Sequence, residues 1–380
     1  MVAFTVAFKQ QLIFIVNENQ NKSIASCWFI LYTEPIVPIM THLIRSKSPL
    51  RIGLAGGGTD VNPYSDLYGG AILNATINLY AHTTIEPLET NEIILESVDC
   101  SLAEKHESAL QLPINGTLDL AKGVYNRIVK DYTARPLSFK LTTYVPAPPG
   151  SGLGTSSSLV VSMLSAFSEW LNIPLGEYEL AHLAYEIERE DLKMAGGKQD
   201  QYAAAFGGFN FMEFYGDNVI VNPLRVKSAS LYELENNIVL YYTGTSRLSS
   251  RIIAMQQDNV HAKKEASVEA MHKLKEQASM MKNALLKGQL DQIGEILHFG
   301  WEHKKQMAEG ISNPLIDEIY DAAVKAGSTG GKVSGAGGGG FIFFYCPGNT
   351  RYKVIGALGR FEGEARRFQF EREGVVSWKF

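Results

Sequence analysis

The stretch Pro146-Ala-Pro-Pro-Gly-Ser-Gly-Leu-Gly-Thr-Ser-Ser-Ser-Leu159 decides how this chain is read. A strand-like run from Leu137 to Val145 feeds a proline-glycine turn, hydroxyl residues follow, and an apolar-periodic segment begins at Leu159. That order predicts a loop opening onto a helix. The first turn of a helix leaves backbone N–H groups without partners and carries partial positive charge, so it attracts an anion. Gly150, Gly152 and Gly154 let the backbone approach that anion, because no Cβ intervenes and positive φ costs little. Thr155, Ser156, Ser157 and Ser158 supply hydroxyls for a cap, for phosphate oxygens or for Mg2+. A ligand-free capped helix needs one turn residue and one hydroxyl. Three glycines in five residues, followed by four hydroxyls, point instead to phosphate.

The stretch is not a Walker A loop, which places Gly-Lys-Ser/Thr at the helix start. It resembles the second motif of the GHMP kinases, the superfamily of galactokinase, homoserine kinase, mevalonate kinase and phosphomevalonate kinase. The matching residues are Pro148 and then Gly152-Leu153-Gly154-Thr155-Ser156.

At 380 residues, 45% hydrophobic and 20% charged, the chain has the size of two ordinary globular domains. A net charge of −5 and a pI near 6.0 give no electrostatic footprint for nucleic acid or an anionic membrane. Neither is expected as a partner, and an anionic substrate must be held by local groups. Cys27, Cys100 and Cys346 lie far apart without metal-ligand spacing, which fits a reducing, cytoplasmic setting. In residues 1–39 two short apolar runs flank a polar one. Neither reaches a membrane-spanning length, and the order of a signal peptide is missing. We expect 1–39 to be a dispensable extension, 40–222 an N-terminal domain and 223–380 a C-terminal domain.

Along the chain, Pro49-Leu-Arg51 begins a strand that runs into a glycine-rich turn presenting Gly57, Gly58, Thr59 and Asp60. Helical spacing marks 118–131, the segment after the glycine loop, 176–192 and 313–326, and a hairpin pattern marks 209–221. Gly335-x-Gly337-x-x-Gly340 has the spacing of a dinucleotide fingerprint, but it is expected to follow a helix and open the strand from Phe341 to Cys346. A fingerprint follows a strand and opens a helix. The run from Lys332 to Phe341 resembles the third GHMP motif instead.

Four motifs in family order, across residues 48 to 380, carry the resemblance. It implies an α+β two-domain kinase, with an N-terminal domain like ribosomal protein S5 domain 2, a ferredoxin-like C-terminal domain and the active site between them. It implies ATP binding by Pro148, Gly150, Ser151, Gly152, Leu153, Gly154, Thr155, Ser156 and Ser157, and Mg2+ ligation by Ser156 and Glu188. Phosphoryl transfer asks a protein to align the nucleophile, accept its proton and spread charge. Asp200 matches the family's base, with Arg51 and Lys198 as cations beside it. The rival reading of Asp200 is a helix N-cap. Thr59, Asp60, Gly57, Gly58, Gly335, Gly337 and Gly338 are expected to bind the sugar.

The first motif lacks the Glu-His pair of galactokinase. Together with Glu188-Arg-Glu-Asp-Leu-Lys-Met-Ala-Gly-Gly-Lys-Gln-Asp-Gln-Tyr202, it looks most like the heptose 7-phosphate kinases. These phosphorylate the anomeric hydroxyl of D-glycero-D-manno-heptose 7-phosphate to give the 1,7-bisphosphate. Lys198, Arg247, Arg251 and Lys332 are the cations available to a substrate phosphate. Another sugar 1-kinase, fucokinase- or galactokinase-like, and a non-catalytic sugar and ATP sensor are the alternatives.

Overall fold

The structure is a computed structural model and describes residues 42–380 apart from 217 and 246–248. The expectations for 1–39 and for Arg247 lie outside the described residues. Two sheets organise the remainder. The strands are β1 Ile44–Ala55, β2 Gly70–Pro87, β3 Glu92–Ser97, β4 Leu102–Glu107, β5 Phe139–Tyr144, β6 Phe209–Tyr215, β7 Asn218–Pro223, β8 Ile238–Tyr242, β9 Gly330–Val333, β10 Phe341–Tyr345, β11 Glu364–Arg366 and β12 Val376–Lys379. The helices are α1 Tyr64–Tyr68, α2 Asp119–Ile128, α3 Thr155–Leu171, α4 Glu177–Glu186, α5 Gln199–Phe206, α6 Ser228–Asn237, α7 Ser249–His261, α8 Glu265–Lys287, α9 Ile293–Lys304, α10 Pro314–Lys325 and α11 Arg351–Leu358.

The first sheet runs β12-β1-β2-β5-β3-β4, with β6 joining β2 and β7 joining β6. The second is antiparallel in the order β11-β8-β10-β9. The expected boundary at 222/223 falls at the end of β7. The last strand departs from that division, since β12 crosses back to pair with β1.

Strand β1 explains how the two halves meet. Its register against β2 shifts between Pro49 and Leu50, where proline removes a ladder donor. Beyond that point every residue is buried, so both faces are covered. Leu50, Ile52 and Leu54 share one core with Leu240, Phe343, Met281 and Leu297 of the second half. Arg51, between them, projects to the opposite face, where α3 and α5 stand. That face holds the other large core, in which Phe139 and Phe167 meet edge to face with centroids 5.3 Å apart. Truncating the fully buried Phe167 to alanine should cost about 3–5 kcal/mol.

The third glycine stretch lies between two strands, β9 and β10, rather than between a helix and a strand. Strand β9 is only four residues long, two of them glycine, too short for an alternation signal to register. The loop after it belongs to a hairpin.

Candidate active site

Asp200 sits in the first turn of α5 and is not its cap. The Nε and Nη2 atoms of Arg51 approach the same oxygen, Oδ1, at 2.7 and 2.6 Å. Arg51 is 4% exposed and Asp200 22% exposed, so the pair has one buried and one accessible member. Nη1 of Arg51 donates to the carbonyl of Gly152 at 2.5 Å, and its backbone N–H donates to Leu153 at 3.1 Å. One arginine thus ties β1, the glycine loop and α5 together. The cap of α5 comes from Asp60, whose Oδ2 accepts the N–H groups of Lys198 and Gln199 at 2.9 and 3.0 Å. Burial pushes the Asp60 carboxyl above the ordinary carboxylate range, opposed by those backbone donors.

The glycine loop is shaped as its sequence requires. Gly150, Gly152 and Gly154 all have φ between 75° and 85°, the left-handed region that glycine enters cheaply. Gly154 is the N-cap of α3, and no side chain caps that helix. Its first N–H groups, at Thr155, Ser156 and Ser157, therefore open onto a cleft of about 880 Å³. A Cβ on Gly152 would stand 2.4 Å from the carbonyl of Ser334, and one on Gly154 would stand 3.3 Å from Asp200 Oδ2. The second and third glycine stretches are pressed against each other. Ser334 donates to Gly152 O at 2.7 Å, and Phe341 N–H to Ser151 O at 2.9 Å.

Glu188 falls in a π-turn, Ile187–Asp191, that continues α4. Such turns re-aim side chains and recur at functional sites. Glu188 is 1% exposed and still lines the cleft. It accepts hydrogen bonds from Ser157 and, at 2.5 Å, from Gln201. Burial raises its pKa, with Arg189, Ser157 and Gln201 opposing. Its neighbours Glu186 and Glu190 are elsewhere, the first paired with Arg127 and the second exposed. Among the described residues no group of three His, Cys, Asp or Glu side chains is placed to hold a metal. The oxygen set here is a buried carboxylate beside serine hydroxyls, which suits a hard cation that takes its remaining ligands from phosphate and water.

Several expected residues stand differently. Lys198 is turned away from Asp200. Its ammonium donates to Gly216 O, lies 3.9 Å from Asp66 and sits over Tyr185. The reason is its position before α5: the backbone N–H faces Asp60 while the side chain leaves on the other side. The Thr59 hydroxyl is fully buried, 2.9 Å from Gly56 O and 3.0 Å from Ala71 O, and it accepts Ala71 N–H at 3.1 Å. It braces the turn, and its burial keeps it from a ligand. Ser151 and Leu153 are fully buried behind the loop. Pro149 rather than Pro148 lines the cleft, and so do Gly58, Asp60 and Gly335. Gly337 and Gly338 pack on Ile311 instead. Gly57 approaches the ammonium groups of Lys304 and Lys332.

Lys304 was missed by sequence reasoning. It ends α9, is 2% exposed, and donates to Gly335 O at 2.5 Å. Burial and the nearby Arg51 hold its pKa down to about 8, with Asp60 pulling it up. The His303-Lys-Lys305 run looks like a solvated face, but Leu297, Trp301 and Lys304 share one helical stripe, and that stripe is buried. Lys332, on β9, donates to Gly53 O at 3.0 Å, and burial drives its pKa down further.

Comparison with known proteins agrees with this geometry. Residues 119–208 match the GHMP kinases N terminal domain and residues 281–364 the GHMP kinases C terminal domain. The chain is 50% identical to the D-glycero-alpha-D-manno-heptose 7-phosphate kinase of Campylobacter jejuni over 337 residues, 88% of this chain and 99% of the relative. It is 27% identical to the L-fucokinase/L-fucose-1-P guanylyltransferase of Bacteroides fragilis, of which it spans 34%. A solved D-glycero-D-manno-heptose 1-phosphate kinase from Bacteroides thetaiotaomicron superposes with a TM-score of 0.76 at 49% identity, covering 89% of this chain and 99% of that one. A loop of positive-φ glycines before an uncapped helix, an arginine-held aspartate beside it and half-identity over nearly the full length of a kinase converge on one conclusion: this chain belongs to the GHMP kinases.

Proposed function

We propose that the protein transfers the γ-phosphoryl group of ATP to the anomeric hydroxyl of D-glycero-D-manno-heptose 7-phosphate, giving the 1,7-bisphosphate and ADP. The observation that carries this reading is the arrangement of Asp200: Arg51 occupies Oδ1 twice, while Oδ2 lies across Gly154 from the uncapped start of α3. The relative at 50% identity supplies the acceptor.

The chemistry follows from those positions. The α3 N–H groups and hydroxyls bind the phosphate chain. The acceptor's O–H gives its proton to Asp200 Oδ2 as its oxygen bonds to the γ-phosphorus. The bond from that phosphorus to the bridging oxygen breaks, and the electron pair leaves with ADP. Arg51 fixes the carboxylate's orientation and spreads the charge that develops. Ser156, half-buried and open to the cleft, and Glu188 would hold Mg2+, since the hydroxyl of Ser157 is already engaged by Glu188. When bound, the ion would neutralise phosphate charge. Among the described residues no helix is long and apolar enough to cross a membrane, and Cys100 and Cys346 are free thiols.

ADP release tests the reading. Heptose 7-phosphate should turn over at least tenfold faster, by kcat/KM, than heptose 1-phosphate, galactose, fucose or mannose. The 1-phosphate is included because the two similar kinases are named for opposite ends of the sugar. Equal turnover of a free sugar would remove the acceptor assignment. No turnover of any of them, with ATP still bound, would favour a sensor.

A further inference from the structure

Two polar side chains in the cleft have no part in the transfer step. Gln256, from α7, is 3% exposed and lines the cleft, yet its amide makes no hydrogen bond among the described residues. Its Oε1 lies 3.7 Å from where a Cβ on Gly58 would stand. Lys304, from α9, is equally buried, and its ammonium is 3.7 Å from the corresponding point on Gly57. Of its three N–H donors only the one given to Gly335 has an acceptor. The two side chains converge on the Gly57–Gly58 turn. A Cβ at Gly58 would strike Met307 Cε at 2.5 Å, so the bare turn also makes room for Met307 beside them.

The charges are unequally matched. Arg51 has Asp200, and Asp60 has the backbone donors of α5. Lys304 and Lys332 have only backbone carbonyls. Both side chains turn polar atoms that the protein itself leaves unpartnered into the cleft, where a ligand can complete them. The ionised groups that act on Lys304 are Arg51 and Asp60, and it acts in turn on Lys332.

We propose that Lys304 and Gln256 form the subsite for the acceptor's own phosphate, the end of the sugar phosphate remote from the reacting hydroxyl. This rests on the functional reading above and adds the residues that make the enzyme select a phosphorylated sugar.

The test is the preference ratio: kcat/KM for heptose 7-phosphate divided by that for unphosphorylated heptose, in wild type, Lys304→Met, Lys304→Arg and Gln256→Ala. Lys304→Met should lower the ratio at least tenfold, chiefly through KM for the sugar phosphate, with KM for ATP within threefold of wild type. Lys304→Arg should recover part of the ratio, and Gln256→Ala should lower it a fewfold. An equal loss with both acceptors, or a raised KM for ATP, overturns the subsite. Thermal melting establishes that each variant is folded. Should Lys304→Met not fold, an unchanged ratio in Gln256→Ala overturns the subsite as well. Wild type that ignores heptose 7-phosphate sinks the functional reading and the subsite together. Wild type that prefers it, with the ratio untouched in folded Lys304→Met, sinks the subsite alone.

Discussion

Arg51 reaches Asp200 through two nitrogens that share a single carboxylate oxygen, at 2.7 and 2.6 Å, and leaves the other oxygen turned toward Gly154. The pair joins β1 to α5, and a third nitrogen of the same guanidinium holds the loop carbonyl of Gly152. The position of Asp200, the proposed base, and that of the glycine loop are therefore coupled through one side chain.

Gly154→Ala tests how closely the loop and the base are fitted. Its φ of 76° is costly for alanine, and the added methyl would meet the Asp200 carboxyl at 3.3 Å. We expect a stability loss of about 1–2 kcal/mol by chemical denaturation and a kcat reduced more than tenfold. Unchanged kcat would mean the carboxylate has room to move.

Asp60→Ala removes the cap of α5. The expected loss is about 1–2 kcal/mol, with a fall in kcat as the first turn carrying Asp200 loosens. Asp60→Asn keeps an acceptor oxygen and should restore most of the stability. A variant that raises only the acceptor's KM, with its melting temperature intact, would assign Asp60 to the sugar alone.

Glu188→Gln should raise the Mg2+ concentration for half-maximal rate more than tenfold. Stability should hold or improve, because a desolvated charge is replaced by a neutral isostere. An unaltered Mg2+ titration would remove Glu188 from the metal.

The pH dependence of stability reports on Lys304. In the unfolded chain its pKa is near the ordinary 10.5, and in the folded protein it is about 8. Between those values the unfolded state binds more protons, so stability rises with pH across that window. Below it the buried ammonium costs the fold on the order of 3 kcal/mol. Lys304→Met should therefore melt higher than wild type at pH 7, less what the lost Gly335 hydrogen bond contributes. The gap should close as pH approaches 10.5. A gap independent of pH would place the gain in packing.

Much of the site was legible because its chemistry is local. The glycines at 150, 152 and 154 and the hydroxyls after them announce an open helix start, and Glu188 shares a helical flank with Ala181 and Ala184 that proves buried. What escaped is non-local. Neighbourhood in sequence put Lys198 beside Asp200, whereas the helix start sends the two side chains apart. The Thr59 hydroxyl is absorbed by a strand twelve residues on. Lys304 enters the cleft from a helix more than a hundred residues away, and β12 returns to a partner at the other end of the described chain. No local pattern encodes such pairings.

The most direct measurement is single-turnover phosphoryl transfer by Asp200→Asn, with nucleotide affinity determined on the same sample by calorimetry. The account predicts transfer slowed by about 10²–10⁴-fold while ATP binds within threefold of wild type, since it assigns the nucleotide to α3 and not to Asp200. Transfer at the wild-type rate, with binding intact, would contradict it.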